Sequence, residues 1–157
     1  MMNIPLHPML VHFPIALLIM SVAFDAAGTI WKRECFREGA LWLLVCGLVG
    51  GIAAALAGDM AEDAAKQAGI AEALIENHET FALTTLGIFG ILLLWRLVLR
   101  NQFSLNTIKV YMVLAVIGLG TLSVAGHFGG NLVYEHGAGV HTALQGPSAM
   151  TQLLPGK

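Results

Sequence analysis

Charged residues are scarce in this sequence, and their scarcity excludes most classes of soluble protein. Only 11% of the 157 residues are Asp, Glu, Lys or Arg, whereas 57% are hydrophobic. Ordinary soluble domains carry about 25% charged and about 45–50% apolar residues. The mean hydropathy is +0.75, which is more apolar surface than a chain of this length can bury in its own core. The sequence therefore predicts a protein that lies in a lipid bilayer.

Other functional classes are excluded by motifs that the chain lacks. The formal net charge is −2, and there is no basic stripe of the kind that nucleic acid requires. The two cysteines, Cys35 and Cys46, form no metal-binding pair and are not expected to form a disulfide. No phosphate loop is present, and Ser123 lies one helical turn before His127, where a serine usually bonds the backbone. Nothing in the sequence points to hydrolytic chemistry.

Four long apolar runs dominate the sequence. A helix needs about 20 apolar residues to cross the hydrocarbon core, and the runs at 9–30, 40–57, 81–99 and 108–125 qualify. The residues before the first run lack the basic segment of a secretory signal, so this run is interpreted as a retained span. We predict an all-α membrane protein, a four-helix bundle that forms a single domain over residues 1–157.

The basic residues indicate how the predicted bundle is oriented. Six of the eight lie in or beside the loops after the first and third spans: Lys32, Arg33, Arg37, Arg96, Arg100 and Lys109. Loops rich in Lys and Arg face the cytoplasm, so both termini face outward, into the periplasm of a bacterium. The sequence therefore predicts a multi-pass protein of the bacterial inner membrane.

Two segments extend the spans on the predicted outer side. The Ala, Glu and Lys content after the second span suits a helix that continues beyond the membrane and breaks near Gly69. The glycine-rich C-terminal segment, residues 129–157, predicts a folded loop or a short re-entrant piece rather than a fifth span. Glycines spaced three to four residues apart in spans two and four favour close helix packing or a homo-oligomer contact.

All six histidines fall on the predicted outer side: His7, His12, His78, His127, His136 and His141. A single interfacial histidine is usually an amphipathic side chain at the water boundary, but six on one side favour a binding site. Imidazole is the commonest protein metal ligand, and bundles position ligands on facing helices. We therefore expect His12, His78 and His127, from three spans, to converge at one depth. Gly126, Gly129 and Gly130 either pack helices or clear room for a flat cofactor beside His127.

Asp25 is the only acidic residue inside a predicted span. A carboxyl group within the membrane indicates either a proton path or a buried ion pair. Because Asp25 lies near the basic end of its span, Arg33 or Arg96 can reach it. We therefore favour a structural ion pair.

Three sequence blocks and His78 resemble a known family of bacterial membrane proteins. The blocks are residues 7–18 (HPMLVHFPIALL), Gly58-Asp59, and residues 126–140 (GHFGGNLVYEHGAGV). The resemblance is to the family called domain of unknown function 2231, and it covers almost the whole chain. It implies kinship with small cytochrome b-type bundles, some of them fused to Rieske or cytochrome c-like modules. It also implies that five histidines are motif positions: His7, His12, His78, His127 and His136. His141 lies outside the shared pattern.

Three functions follow as hypotheses. The first is a membrane protein that binds haem b through two histidines and passes electrons to a redox partner protein or a quinone; its candidate cofactor contacts are His7, His12, His78, His127, His136, Tyr134, Gly129 and Gly130. The second is a site for a copper, zinc or iron ion, with His12, His78, His127, His136, His141 and Glu79 as candidate ligands. The third is a non-catalytic accessory subunit.

The charges of the outer side bear on the choice between these hypotheses. Haem carboxylates are usually paired with Arg or Lys, and this side offers Lys66 and Lys157 alone. Seven acidic residues lie on the same side: Asp59, Glu62, Asp63, Glu72, Glu76, Glu79 and Glu135. An acidic rim of this kind would concentrate cations and so favours the metal-ion hypothesis.

Overall fold

The computed structural model describes residues 6–67, 69–99 and 104–138, and this part of the chain forms four α-helices. They are α1 (Leu6–Trp31), α2 (Glu34–Gln67), α3 (Glu72–Val98) and α4 (Leu105–Tyr134). Each helix is long and apolar enough to cross a membrane. The predicted all-α architecture with four spans is confirmed.

The second helix extends well past its predicted span of 40–57. Its 34 residues give a length of about 51 Å, compared with about 30 Å for the hydrocarbon core. The helix stops where Gly69 adopts a left-handed φ of 83°. There the N–H of Gly69 donates to the carbonyl of Lys66 and the N–H of Ile70 to that of Ala65, at 3.0 and 3.3 Å. This pattern is a Schellman cap, and the predicted break near Gly69 is confirmed.

The fourth helix corrects one prediction. Residues 129–134, expected to begin a glycine-rich loop, continue α4 without a break to Tyr134. The helix ends instead near Gly137, which has a left-handed φ of 68° and whose N–H donates to the carbonyl of Val133 at 3.1 Å. The rest of the predicted loop, residues 139–157, lies outside the described residues.

The helices pack as two closely associated antiparallel pairs, α1 with α2 and α3 with α4. Glycines create the close approaches: a Cβ added at Gly47 would lie 2.9 Å from Leu18, and one at Gly118 would lie 3.0 Å from Phe89. Such small residues let helices associate in lipid by van der Waals contact. Only 22–28% of each span is buried by the other helices, so lipid must cover the rest.

A buried ion pair joins diagonal corners of the bundle. From α3, the guanidinium of Arg96 donates to both carboxylate oxygens of Asp25 on α1, at 2.7 and 2.8 Å. It also donates to the hydroxyl of Tyr111 at 3.2 Å and to the backbone carbonyl of Arg37 at 2.8 Å. Arg96, Asp25 and Tyr111 are 1%, 3% and 2% exposed. We call these four residues the Asp25–Arg96 network; of the two arginines expected to reach Asp25, Arg96 is the partner.

This network brings a polar contact from every helix to one point. Arg96 lies on α3, and its partners lie on α1, α2 and α4. Among the described residues, no buried side-chain nitrogen or oxygen lacks a hydrogen-bond partner. The charges are therefore fully compensated, as burial in the membrane requires.

We predict that removing one charge of this pair destabilises the bundle more than removing both charges. Asp25→Leu or Arg96→Leu should lower the free energy of unfolding by about 3–5 kcal/mol, because one buried charge is left unpaired. The double substitution Asp25→Leu/Arg96→Leu should recover much of that loss. Denaturant titration in detergent micelles, followed by circular dichroism, measures this. Lys109→Leu, which removes an exposed charge from the same end, is the control. A double variant as unstable as the two single variants combined would contradict the prediction.

Candidate functional site

His78 lies near the start of α3 and is half-buried against α4. Its Nδ1 lies 2.9 Å from the backbone carbonyl oxygen of Ala125. A carbonyl oxygen can only accept, so the Nδ1–H donates this hydrogen bond. The contact fixes the direction of the imidazole ring and, in the neutral ring, leaves the lone pair on Nε2.

Gly129 provides the space in which the His78 ring lies. A Cβ added at Gly129 would lie 2.9 Å from Cε1 and 3.2 Å from Nδ1 of that ring. Any side chain at this position would therefore displace the imidazole from the Ala125 carbonyl. The structure thus supports close packing as the role of Gly129. Its packing partner is His78, a functional candidate, rather than a side chain of the core.

Gly126 and Gly130 differ from Gly129. A Cβ added at either would meet no atom within 4 Å among the described residues. These two glycines lie one helical turn apart and leave a smooth, open strip on α4. They remain candidates for the surface that a flat ligand would cover.

Apolar and hydroxyl side chains join α3 to α4 on the deeper side of His78. The rings of Phe81 and Phe128 stack with centroids 5.7 Å apart. Two turns deeper, the Thr85 hydroxyl donates to the Thr121 hydroxyl at 2.9 Å. These contacts hold α3 and α4 together next to His78.

The other predicted histidines have different surroundings. His12, His127 and His136 are all exposed. The Nδ1–H of His136 donates to the backbone carbonyl of Asn131 at 3.2 Å, next to the end of α4. His7 lies in the first turn of α1, outside the residues whose side chains are described, and His141 lies outside the described residues altogether.

The convergence expected of His12, His78 and His127 stays a prediction. Within the described part of the chain, no group of three or more His, Cys, Asp or Glu side chains is placed to hold a metal ion. Of the other named candidates, Glu79 is exposed and Tyr134 is 90% exposed. The structure thus singles out His78 by its burial and fixed ring, while His12 and His127 lie at the surface.

The acidic rim contains an ion pair that the sequence did not specify. Lys66, near the end of α2, contacts Glu62 one turn earlier and Glu72 at the start of α3, both at 2.9 Å. Hydrogen bonds to these two carboxylates raise the pKa of Lys66 above its usual value. Because Lys66 is already paired, it is poorly placed to neutralise the carboxylates of a ligand.

Sequence reasoning missed the partners that fix His78. The Ala125 acceptor is a backbone carbonyl, which has no signature in a sequence. The Phe81–Phe128 contact depends on the register of α3 against α4. The one available signal was Gly129, whose small size indicated a close approach without showing which residue makes it.

The chain belongs to the DUF2231 family, whose members are described as predicted membrane proteins; the family model matches residues 3–142. The resemblance seen in the histidine and glycine blocks is therefore confirmed. No curated protein and no solved structure matches the chain.

We predict opposite effects for two neighbouring glycine substitutions in α4. Gly129→Ala should lower the free energy of unfolding by about 1–2 kcal/mol, because it pushes His78 off its buried acceptor. Gly130→Ala, the matched control in open space, should raise it by up to about 1 kcal/mol through the better helix propensity of alanine. Denaturant titrations of both variants measure the difference.

A double-mutant cycle tests whether the cost of Gly129→Ala arises through His78. In a His78→Ala background the penalty should disappear, because no ring then occupies the space. An unchanged penalty would show that Gly129 is required for another reason.

Proposed function

We propose that this DUF2231 membrane protein binds a b-type haem at the end of the bundle that carries the histidines, with His78 as one axial ligand. The observation that carries the proposal is the hydrogen bond from His78 Nδ1–H to the Ala125 carbonyl. A histidine that ligates a metal almost always donates its other ring N–H to a carbonyl, carboxylate or water. His78 has this arrangement in the structure of the protein alone.

The number of ligands favours haem over a bare metal ion. A protein site for zinc or copper uses three or four side-chain ligands, and the described side chains form no such group. A porphyrin supplies its own equatorial nitrogens, so the protein needs to add only one or two axial histidines. A site built around one well-oriented imidazole therefore suits haem better.

We place the second axial ligand at the start of α1. His127 follows Ala125 by two residues, which turns it about 200° around α4 from that buried position and away from His78. His7 and His12 lie in the first two turns of α1, a helix that packs on both α2 and α4. One of these two residues would supply the second imidazole.

The charges at this end determine how the haem would be oriented. The one lysine there within the described residues, Lys66, is paired with Glu62 and Glu72. The haem carboxylates are therefore expected to face water rather than an ion pair. A haem exposed at this surface would supply one-electron chemistry, and a redox partner protein or a quinone would exchange the electron.

The absorption spectrum of the detergent-purified protein tests this function. We expect a Soret band with sharp α and β bands after dithionite reduction, the pattern of six-coordinate low-spin haem. His78→Ala should abolish or greatly shift these bands, while His127→Ala should leave them unchanged. Of His7→Ala and His12→Ala, only one should match the loss caused by His78→Ala.

Two results would contradict the haem proposal. One is a protein without a Soret band even after expression with added haem. The other is stoichiometric zinc or copper without porphyrin, which would establish the metal-ion function instead. His136→Ala, at an exposed position on the same end, controls for general loss of folding.

We further propose that the histidine-bearing end faces the periplasm of a bacterial inner membrane. Lys32 and Arg33 are exposed at the opposite end, between α1 and α2, as the positive-inside rule expects of a cytoplasmic loop. Cys35 is exposed beside them, so it reports the side directly. A membrane-impermeant maleimide should label Cys35 only after the cells are permeabilised.

The labelling experiment has a matched control in the same chain. Cys46 is also exposed on the surface of the bundle, but it lies within the second span, where a charged reagent has no access. Cys35→Ser should therefore abolish labelling. Labelling of intact spheroplasts would reverse the proposed orientation.

A further inference from the structure

A long apolar groove runs between α1 and α2 on the outer surface of the bundle. Its volume is about 420 Å³, and its lining includes Phe13, Leu17 and Phe24 of α1. The facing wall includes Gly39, Trp42 and Cys46 of α2. Within each helix these residues recur every one to two turns, so each set forms a continuous stripe. We call this feature the α1–α2 groove.

Most of the groove lies in one leaflet of the membrane. Trp31 is 62% exposed at the end of α1, as expected for an aromatic ring at the headgroup level. Leu17 lies about 21 Å from Trp31 along the helix. This distance equals a headgroup layer of about 6 Å plus half of a hydrocarbon core of about 30 Å. The groove from Phe24 to Leu17 therefore reaches the membrane midplane, and Phe13 extends it about 6 Å further along α1.

Positive charge lies at the headgroup end of this groove. Lys32 and Arg33, both exposed, form the connection between α1 and α2. The first N–H groups of α2 add the positive end of a helix dipole at the same point. Glu34 and Glu38 are also exposed nearby. Glu34 lies about 140° around α2 from Gly39, whereas Glu38 lies one turn before Trp42, on the groove side of α2.

We propose that the α1–α2 groove binds one acyl chain of an anionic phospholipid, whose phosphate contacts Lys32 and Arg33. From Phe24 to Leu17 the groove matches a single leaflet in depth, its lining is apolar, and exposed Lys32 and Arg33 lie at its headgroup end. A zwitterionic lipid could fill the same groove but would gain less from the two cations. This binding is independent of any cofactor at the other end of the bundle.

The fluorescence of Trp42 measures the occupant directly, because Trp42 lines the groove and is 68% exposed. Trp31→Phe/Trp95→Phe leaves Trp42 as the only tryptophan in the chain. The protein is reconstituted into phosphatidylcholine vesicles with a second, brominated lipid added. In one series this lipid is phosphatidylglycerol with brominated acyl chains, and in the other it is phosphatidylcholine with brominated acyl chains. Brominated phosphatidylglycerol should quench Trp42 at a lower mole fraction, by roughly fivefold for each basic residue that contacts its phosphate.

Charge variants test which residues give this preference. Lys32→Gln/Arg33→Gln should make the two brominated lipids equally effective. Lys109→Gln, which removes an exposed charge on α4 at the same end but outside the groove, should keep the preference. Circular dichroism and size-exclusion chromatography verify the fold of each variant.

Several outcomes would overturn the proposal. Equal quenching by both lipids, or a preference that survives Lys32→Gln/Arg33→Gln, would exclude the headgroup contact. Absence of quenching by either lipid, together with a cross-linked dimer, would show that a second copy of the chain covers the groove. If a variant fails to fold, native mass spectrometry of the unsubstituted protein decides, since phosphatidylglycerol should remain bound at collision energies that remove phosphatidylcholine.

Discussion

A charged side chain in the hydrocarbon core is stable only if the protein supplies what water would otherwise supply, and this requirement governs the bundle. Arg96 carries that charge in α3 and donates hydrogen bonds to acceptors on α1, α2 and α4. The carboxylate of Asp25 reaches it from the diagonally opposite helix. A change in the rotation or height of any one helix would leave part of this network unpaired. The network therefore sets the relative position of all four helices at one end of the bundle.

The register of α3 against α4 at that end of the bundle is kept along both helices to the other end. Arg96 meets Tyr111, Phe89 packs at Gly118, and His78 packs at Gly129. Between these contacts the two antiparallel helices advance by equal numbers of residues, so a single register satisfies all three. The small residues Gly118 and Gly129 allow the close approach that this register requires. The orientation of His78 thus follows from the same packing that places Arg96.

The two ends of the bundle consequently carry different sets of residues. One end holds buried and exposed cations, with an apolar groove suited to a lipid chain beside them. The other holds a half-buried imidazole, an open glycine strip and an acidic rim. Between them, the core of Leu18, Leu44, Phe89 and Leu92 is almost completely buried. This apolar layer separates the proposed haem site from the Asp25–Arg96 network.

The sequence alone determined the features that depend on composition and local chemistry. Four runs of apolar residues are sufficient to predict four spans, because a helix satisfies all its backbone hydrogen bonds internally, as the bilayer core requires. The helix break near Gly69 and the pairing of Asp25 with an arginine also followed from residue type. Conversely, the continuation of α4 to Tyr134 was missed, because glycine density there signals helix packing rather than a loop.

Only the tertiary structure decided which polar residues meet. Six histidines on one side gave no basis for distinguishing His78 from His12 or His127, since all three were expected at one depth. The distinction arises from helix rotation: His78 turns toward Ala125 and Gly129, whereas His12 and His127 are exposed. Arg96 was likewise chosen over Arg33 as the partner of Asp25 by the diagonal placement of α3. Rotation and register depend on contacts between distant segments, and a linear pattern of residue types does not contain them.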